Sequence, residues 1–483
     1  MNPAPFPLDA GTAEALTGGT WHGRPREVVV RGAAIDSRQV RPGCLFAAIV
    51  GARVDGHDFA ATAAGDGAAL ILTSRLVVAA APVLVVEDVA RALGQLAAAF
   101  RRHHRQATWI AVAGANGKTT VKELLAAAAS EEAPTHATEG NRNNHLGVPL
   151  TILNTPAHTR WCVIELGANK AGEIAELAAM VQPDVAVCTS IGPAHLEGYG
   201  DLQGVALGES AVFAAVPPGA PCLFGRSGLE AVSRAGGVDA RELEAIVRSQ
   251  AAGRNLLVVG GESYPITGET RPDGIVMSCG EGQVQLPLLG HHNLANAHLA
   301  WRAAVAAGVI PELALRGLRR VVPVPGRLRL IHLGNGHRLF DDCYNANPAS
   351  MSAGLQELAR QPGARLAVLG AMGELGMDAP RMHGQLGAEA ARLGLPILVV
   401  GGDLAQAIVE GYCQAGGRDY HLEAQHDGAI AFLQARLQVA VTAILVKASR
   451  SAGLDRIVSH LCEHYPQSVA EQANNGAWER SRC

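Results

Sequence analysis

Lysine is nearly missing from this 483-residue chain. Only Lys118, Lys122, Lys170 and Lys447 carry it among 40 basic residues, and the rest are arginine. There is no long basic run and the formal net charge is −4, so nucleic acid is not an expected partner. The nine cysteines include no C-x-x-C pair and are odd in number. They are expected to be reduced thiols, mostly filling core, in a cytoplasmic protein. No charged-then-apolar leader opens the chain. The most apolar stretch, Leu76–Val86, falls well short of the roughly 20 residues a membrane helix needs, so no membrane insertion is expected. No internal repeat of solenoid period is found. What is present is a well-buried globular composition, 48% hydrophobic against 17% charged.

One of the four lysines stands in Ala111-Val-Ala-Gly-Ala-Asn-Gly-Lys-Thr-Thr-Val121. Trp109–Ala113 reads as a buried strand and Val121–Ala129 as an alanine-rich helix. A strand, a glycine loop and a helix opening on Lys-Thr is the arrangement that cradles nucleotide phosphates. Gly114, Ala115, Asn116 and Gly117 would form the loop, Lys118 would reach the phosphates, and the Thr119 hydroxyl, with Thr120 beside it, could hold Mg2+. Arginine would fit poorly there, because its planar fork needs more room than an ammonium. The loop is not a full Walker A pattern, since Val112 stands where the first glycine belongs. A plain turn into a helix is the alternative.

Length predicts several domains, and the pattern divides the chain at two places. Residues 1–107 carry short strands (Glu27–Val30, Leu45–Ile49, Ala69–Leu72, Val83–Val86) and a helix over Val89–His104. Residues 108–324 carry the phosphate loop, strands at Trp161–Leu166 and Asp184–Thr189, and a small β excursion over 240–290. From 325 to 462, strands at Leu339–Asp342, Arg365–Gly370, Pro396–Gly401 and Thr442–Lys447 alternate with helical stretches, which predicts a second open α/β sheet. Residues 463–483 lose periodicity and are expected to form a frayed tail.

Ligands of open α/β sheets bind beyond the carboxyl ends of the strands. Glu165 ends one such strand and is placed for Mg2+, or else for capping a helix. His195 follows the next strand at the same edge and could be a ligand or a structural histidine. The segment Gly140-Asn-Arg-Asn-Asn-His-Leu-Gly-Val-Pro149 is a turn or a loop for an anionic, polyhydroxylated substrate. Arg327, at the second domain seam, could clamp a phosphate on closure or make a surface ion pair. Asp342 ends a strand and could take a ribose hydroxyl. Gly370-Ala-Met-Gly-Glu-Leu-Gly376 has the wrong glycine spacing for a dinucleotide loop.

In this order, GANGKTT, GNRNNHLGVP, IELGAN, AHLEG, GHHNLAN, PGRL, DDCYNANP and LVKASR resemble the Mur ligase family over nearly the whole chain. The resemblance implies three domains: an N-terminal one for a UDP group, a central P-loop ATPase and a C-terminal Rossmann-like one. It implies ATP-dependent ligation of D-alanyl-D-alanine to UDP-N-acetylmuramoyl-tripeptide through an acyl phosphate, with Mg2+, in a monomer. Ser37, Arg38, Asp55 and His57 would then belong to the uridine-nucleotide pocket, and Asn143 and Asn144 to the muramoyl-peptide side. Asn293 would contact adenine, Arg327 phosphate and Asp342 the ribose, while Asn345 and Asn347 would face the incoming dipeptide. Thr119, Glu165 and His195 would be metal ligands.

The resemblance has one informative departure. The family usually places a lysine, carbamoylated by CO2, about fourteen residues after the histidine, and here that position is Glu209. No lysine occurs between Lys170 and Lys447, so a shift of register cannot supply one. Glu209 is expected to replace the carbamate at the metal and remove the need for CO2; the alternative is a solvated glutamate and a degraded second metal site. Cys343 and Ala448 stand where serine and glycine are usual. Other amide ligases of the same scaffold, adding a third amino acid or a glutamate to a folate, are the nearest alternatives. A nucleotide-binding regulator without catalysis is a further one, separable by whether ATP is consumed only with both substrates present.

Overall fold

The computed structural model describes residues 2–23, 25–280, 282–440 and 442–466. The expected frayed tail lies outside the described residues from 467 onward. Its first residues, 463 and 464, instead complete the helix Asp455–His464.

Three larger sheets succeed one another along the chain. The first has five strands, in the order Thr20–His22, Val83–Val85, Leu70–Thr73, Leu45–Ala47 and Ala33–Ala34. The predicted strand Glu27–Val30 leaves this sheet and pairs antiparallel with Phe6–Asp9. The second sheet has six parallel strands, in the order Asn255–Val259, Pro221–Gly225, Val185–Cys188, Thr108–Ala113, Trp161–Glu165 and Thr135–Ala137. The third is also six-stranded and parallel except for its first member: Arg329–His332, Arg338–Asp342, Thr442–Lys447, Ala364–Leu369, Ile397–Val400 and Tyr420–Glu423. This is an α/β protein throughout.

The strand Thr108–Ala113 shows why its residues fold this way. Its side chains alternate between two cores, as a pleated strand buried on both faces requires. Ile110 and Val112 enter a cluster with Leu124, Trp161, Val187 and Leu299. Trp109, Ala111 and Ala113 enter another with Leu93, Phe100, Ile164 and Leu177. That second cluster runs without a break into the first sheet's unit, through the helix Val89–His103.

The stretch 240–290 was expected to be a β excursion throughout, and the structure corrects this. Ala240–Gln250 is a helix that buries Leu243 and Val247, four residues apart on one face. Asn255–Val259 extends the main parallel sheet, and only Gly268–Arg271, Gly274–Cys279 and Gly282–Leu286 form a separate antiparallel sheet. Eight described cysteines are unpaired, six of them buried. No helix among the described residues is long and apolar enough to cross a membrane.

Candidate functional site

The strand Thr108–Ala113 ends at a tight loop that forces two glycines. Gly114 has φ +128°, and a Cβ there would lie 2.2 Å from Thr189 Oγ1; Gly117 has φ +84°. The next strand end supports the loop: Ser190 O accepts Ala115 N–H at 2.9 Å, and Ser190 Oγ accepts Asn116 N–H at 3.0 Å. The helix after the loop starts at Lys118, three residues earlier than the alanine pattern suggested. Its first internal bond is Val121 N–H to Gly117 O, 2.8 Å. The amides of Lys118, Thr119 and Thr120 are therefore left at an open helix N-terminus, where an anion is favoured. Lys118 Nζ meanwhile donates to Gly114 O at 2.5 Å, folding the ammonium back over the loop.

Glu165 ends the neighbouring strand, in register with Val112, and is 2% exposed. Its Oε1 accepts from Thr119 Oγ1 at 3.2 Å and Asn143 Nδ2 at 2.9 Å. Its Oε2 is buried with no hydrogen-bond partner. A buried carboxylate oxygen without a donor is costly unless something binds it. With the Thr119 hydroxyl beside it and His195 on the same cavity wall, this hard-oxygen and imidazole donor set fits a divalent cation such as Mg2+. Among the described residues, no three His, Cys, Asp or Glu side chains converge as a complete cage.

The cavity in front of the loop is large, about 1550 Å3. The central unit supplies Lys118, Thr119, Glu165, His195 and Asn293 to its wall, and the C-terminal unit supplies Arg327, Asp342, Tyr344 and Lys447. Arg327 stacks on the Tyr344 ring at 4.2 Å and reaches across to Thr119 Oγ1 at 3.5 Å. Asp342 is buried against Lys447, with Nζ to Oδ2 at 2.7 Å, and also accepts Leu328 N–H at 3.0 Å. Burial raises the Asp342 carboxyl above its ordinary value, and the Lys447 ammonium opposes that rise. Asn293 is held by Leu289 O at 2.9 Å and Asn296 Nδ2 at 3.0 Å.

Other expected residues reach the wall with side chains already engaged. Asn144 Oδ1 accepts Gly147 N–H at 2.9 Å, opening a helix over Gly147–Leu153 where a loop was expected. Asn345 Oδ1 accepts Ala346 N–H at 2.9 Å. Asn347 caps the helix Pro348–Ala359 through Ser350 N–H and donates Nδ2 to Asn116 Oδ1 at 2.7 Å, bridging the two units. Ser37, Arg38, Asp55 and His57 do not line this cavity. Arg38 is paired with Asp36. His57 is buried, with Nδ1 on Asp55 at 2.6 Å and Nε2 accepting Ser74 N–H at 3.0 Å.

Glu209 stands apart from the other expected metal ligands. It is fully buried behind the loop and does not line the cavity. Its Oε2 accepts Gly114 N–H at 2.7 Å and its Oε1 lies 3.5 Å from the Tyr199 hydroxyl. In this arrangement the carboxylate braces the backbone of the loop. Burial and the Glu209 charge push the Tyr199 phenol well above its ordinary value.

Sequence reasoning missed Lys447, Tyr344 and Glu374, all of which line the cavity. For Lys447 the signal was there: it is one of only four lysines and ends a buried strand. For the other two, only the packing of distant segments brings them to the cavity wall.

Three family models match the chain: the Mur ligase family catalytic domain over residues 29–101, the Mur ligase middle domain over 112–304, and the Mur ligase glutamate ligase domain over 326–450. The UDP-N-acetylmuramoyl-tripeptide--D-alanyl-D-alanine ligase of Escherichia coli is 35% identical over 446 residues, covering 91% of this chain and 95% of its own. The crystal structure of MurF from Acinetobacter baumannii superposes with a TM-score of 0.83 at 32% identity, covering 95% of this chain and 99% of that one. MurF ligase from Thermotoga maritima in complex with ADP gives a TM-score of 0.75 at 26% identity, over 89% and 96% of the two chains. Full-length identity at this level, a shared fold and a phosphate loop facing a two-sided cavity lead to one assignment: the chain belongs to the Mur ligase family.

Proposed function

We propose that this enzyme joins D-alanyl-D-alanine to UDP-N-acetylmuramoyl-tripeptide at the expense of ATP, releasing ADP and phosphate. The observation that carries the reading is the cavity itself. A helix N-terminus with Lys118 and Thr119 opens into it from the central unit, and Arg327 reaches the same hydroxyl from the C-terminal unit. The relatives that match over more than nine tenths of their length bear that activity in their names.

In this reading residues 1–107 bind the UDP group, 108–324 form a P-loop ATPase and 325–462 a Rossmann-like ligase domain. A carboxylate at neutral pH lacks a leaving group, so the γ-phosphoryl of ATP is transferred to the tripeptide carboxylate. The dipeptide amine then attacks the acyl phosphate, and the tetrahedral oxyanion collapses to amide and phosphate. Lys118 and the free helix amides hold the nucleotide's phosphates against the approach of a second anion. Thr119, Glu165 and His195 would hold Mg2+, which supplies charge neutralisation when bound. Arg327, delivered from the other unit, adds its charge to the phosphates as the units come together. Asn293 would meet the adenine and Asp342 the ribose. Asn143, anchored on Glu165, would lie toward the muramoyl-peptide.

The test is ADP release with mass detection of product, using both substrates, ATP and Mg2+. A UDP-muramoyl-pentapeptide that forms only when both substrates are present is the expected result. ATP binding without ligation would reject the reading.

A further inference from the structure

Gly370–Gly376 is not a nucleotide loop, and the structure gives it a different position. It follows the strand Ala364–Leu369 and crosses to the central unit, where it meets the segment after Val185–Cys188. The Glu374 carboxylate lies against His195 Nδ1, and Gly376 N–H donates to Glu197 Oε1 at 3.1 Å. The contacts therefore pair residues two apart on each side, 374 and 376 with 195 and 197. Gly373, Glu374 and Leu375 line the cavity along with His195.

The segment is held firmly from behind. Met372 and Leu375 are buried in the C-terminal core. Met372 N–H donates to His383 Nε2 at 2.8 Å, and the fully buried His383 ring is fixed by Ala379 O at 2.6 Å. At the contact itself, His195 has φ +50° and Glu374 φ +59°, two of only five described non-glycine residues in the left-handed region. Such a backbone persists where the surroundings hold it, and it concentrates at functional contacts. Among the described residues the buried His195 Nδ1 has no hydrogen bond, and the Glu374 carboxylate stands against it.

Resting on the metal placement given above, we propose that Glu374 is a positioning residue supplied by the C-terminal unit, which orients His195 so that its other nitrogen, Nε2, takes the divalent cation. A metal-binding histidine commonly donates its second ring N–H to a carboxylate, which fixes tautomer and orientation. Here that carboxylate belongs to a different unit from the histidine. The cation site is therefore complete only when the C-terminal unit is seated, and metal binding is coupled to closure before any chemistry occurs.

The experiment is Mn2+ binding by electron paramagnetic resonance to the full chain with ADP, for the parent protein, Glu374→Ala and His195→Ala. Glu374 is more than half exposed, so its truncation leaves the core intact, and a thermal melt checks this. Both variants are expected to bind Mn2+ about 10- to 100-fold more weakly than the parent. Loss in His195→Ala with parent-like affinity in Glu374→Ala overturns the positioning role and leaves the metal placement standing. Parent-like affinity in both overturns the metal placement and the coupling together. Loss in Glu374→Ala alone makes Glu374 a ligand in its own right and also overturns the proposal.

Discussion

Between the N-terminal and central units, Phe6, Leu93, Leu96 and Phe100 share one apolar cluster with Trp109, Ile164, Leu177 and Val181. Arg101 closes that seam: it donates to Val181 O at 3.1 Å, Gln182 O at 3.0 Å and Asp184 at 3.0 Å, and stacks on Trp109. Between the central and C-terminal units, Leu289 is the one central-unit residue among the described residues that joins the C-terminal apolar clusters. The rest is polar: Asn347 on Asn116, Arg327 on Thr119, Arg360 on Thr270, Gly376 on Glu197, and Glu374 on His195. An apolar seam is a continuous core and resists sliding. A polar one exchanges its partners with water and substrate at little net cost. The catalytic cavity opens on the second kind, which is where a ligase must admit two substrates and then exclude water.

Four perturbations test this contrast. Phe100→Ala removes a buried ring from the first seam and should cost about 3–5 kcal/mol. Calorimetry should show two transitions, with the one shared by the N-terminal and central units falling and the C-terminal one unmoved. Arg101→Ala should cost about 2–3 kcal/mol in the same transition, since two carbonyls and Asp184 lose a charged donor. Asn347→Ala removes a helix cap and a cross-seam bond. It should lower the C-terminal transition by about 1 kcal/mol, leave the other unmoved, and raise KM. Bicarbonate should have no effect on the steady-state rate, because the position where the family usually carries its carbamoylated lysine is Glu209, which braces Gly114. A rate that rises with bicarbonate would refute that account of the loop.

The sequence showed the buried strands best, because continuous apolar runs such as Ile397–Val400 have few other uses. It concealed the edge strands. Arg329–His332 and Tyr420–Glu423 are half-exposed and polar, so their pattern resembles loop. The phosphate loop was readable because glycine and a rare lysine sit at fixed short spacing. The seam was not: Asn116 and Asn347 are 231 residues apart, and Glu197 and Gly376 are 179 apart. The placement of Glu209 was hidden for a related reason: its charge and position suit a metal, and whether its carboxylate emerges in front of the loop or stays behind it depends on packing that spacing does not encode.

The central claim is that one seam is fixed and the other closes. Distance measurements between labels at the exposed Val78, Leu207 and Val439, one in each unit, test it directly. On adding a non-hydrolysable ATP analogue and UDP-N-acetylmuramoyl-tripeptide, the Val78–Leu207 distance should stay the same and the Leu207–Val439 distribution should shift and narrow. A shift across Val78–Leu207 of equal size, or no change across Leu207–Val439, would contradict it.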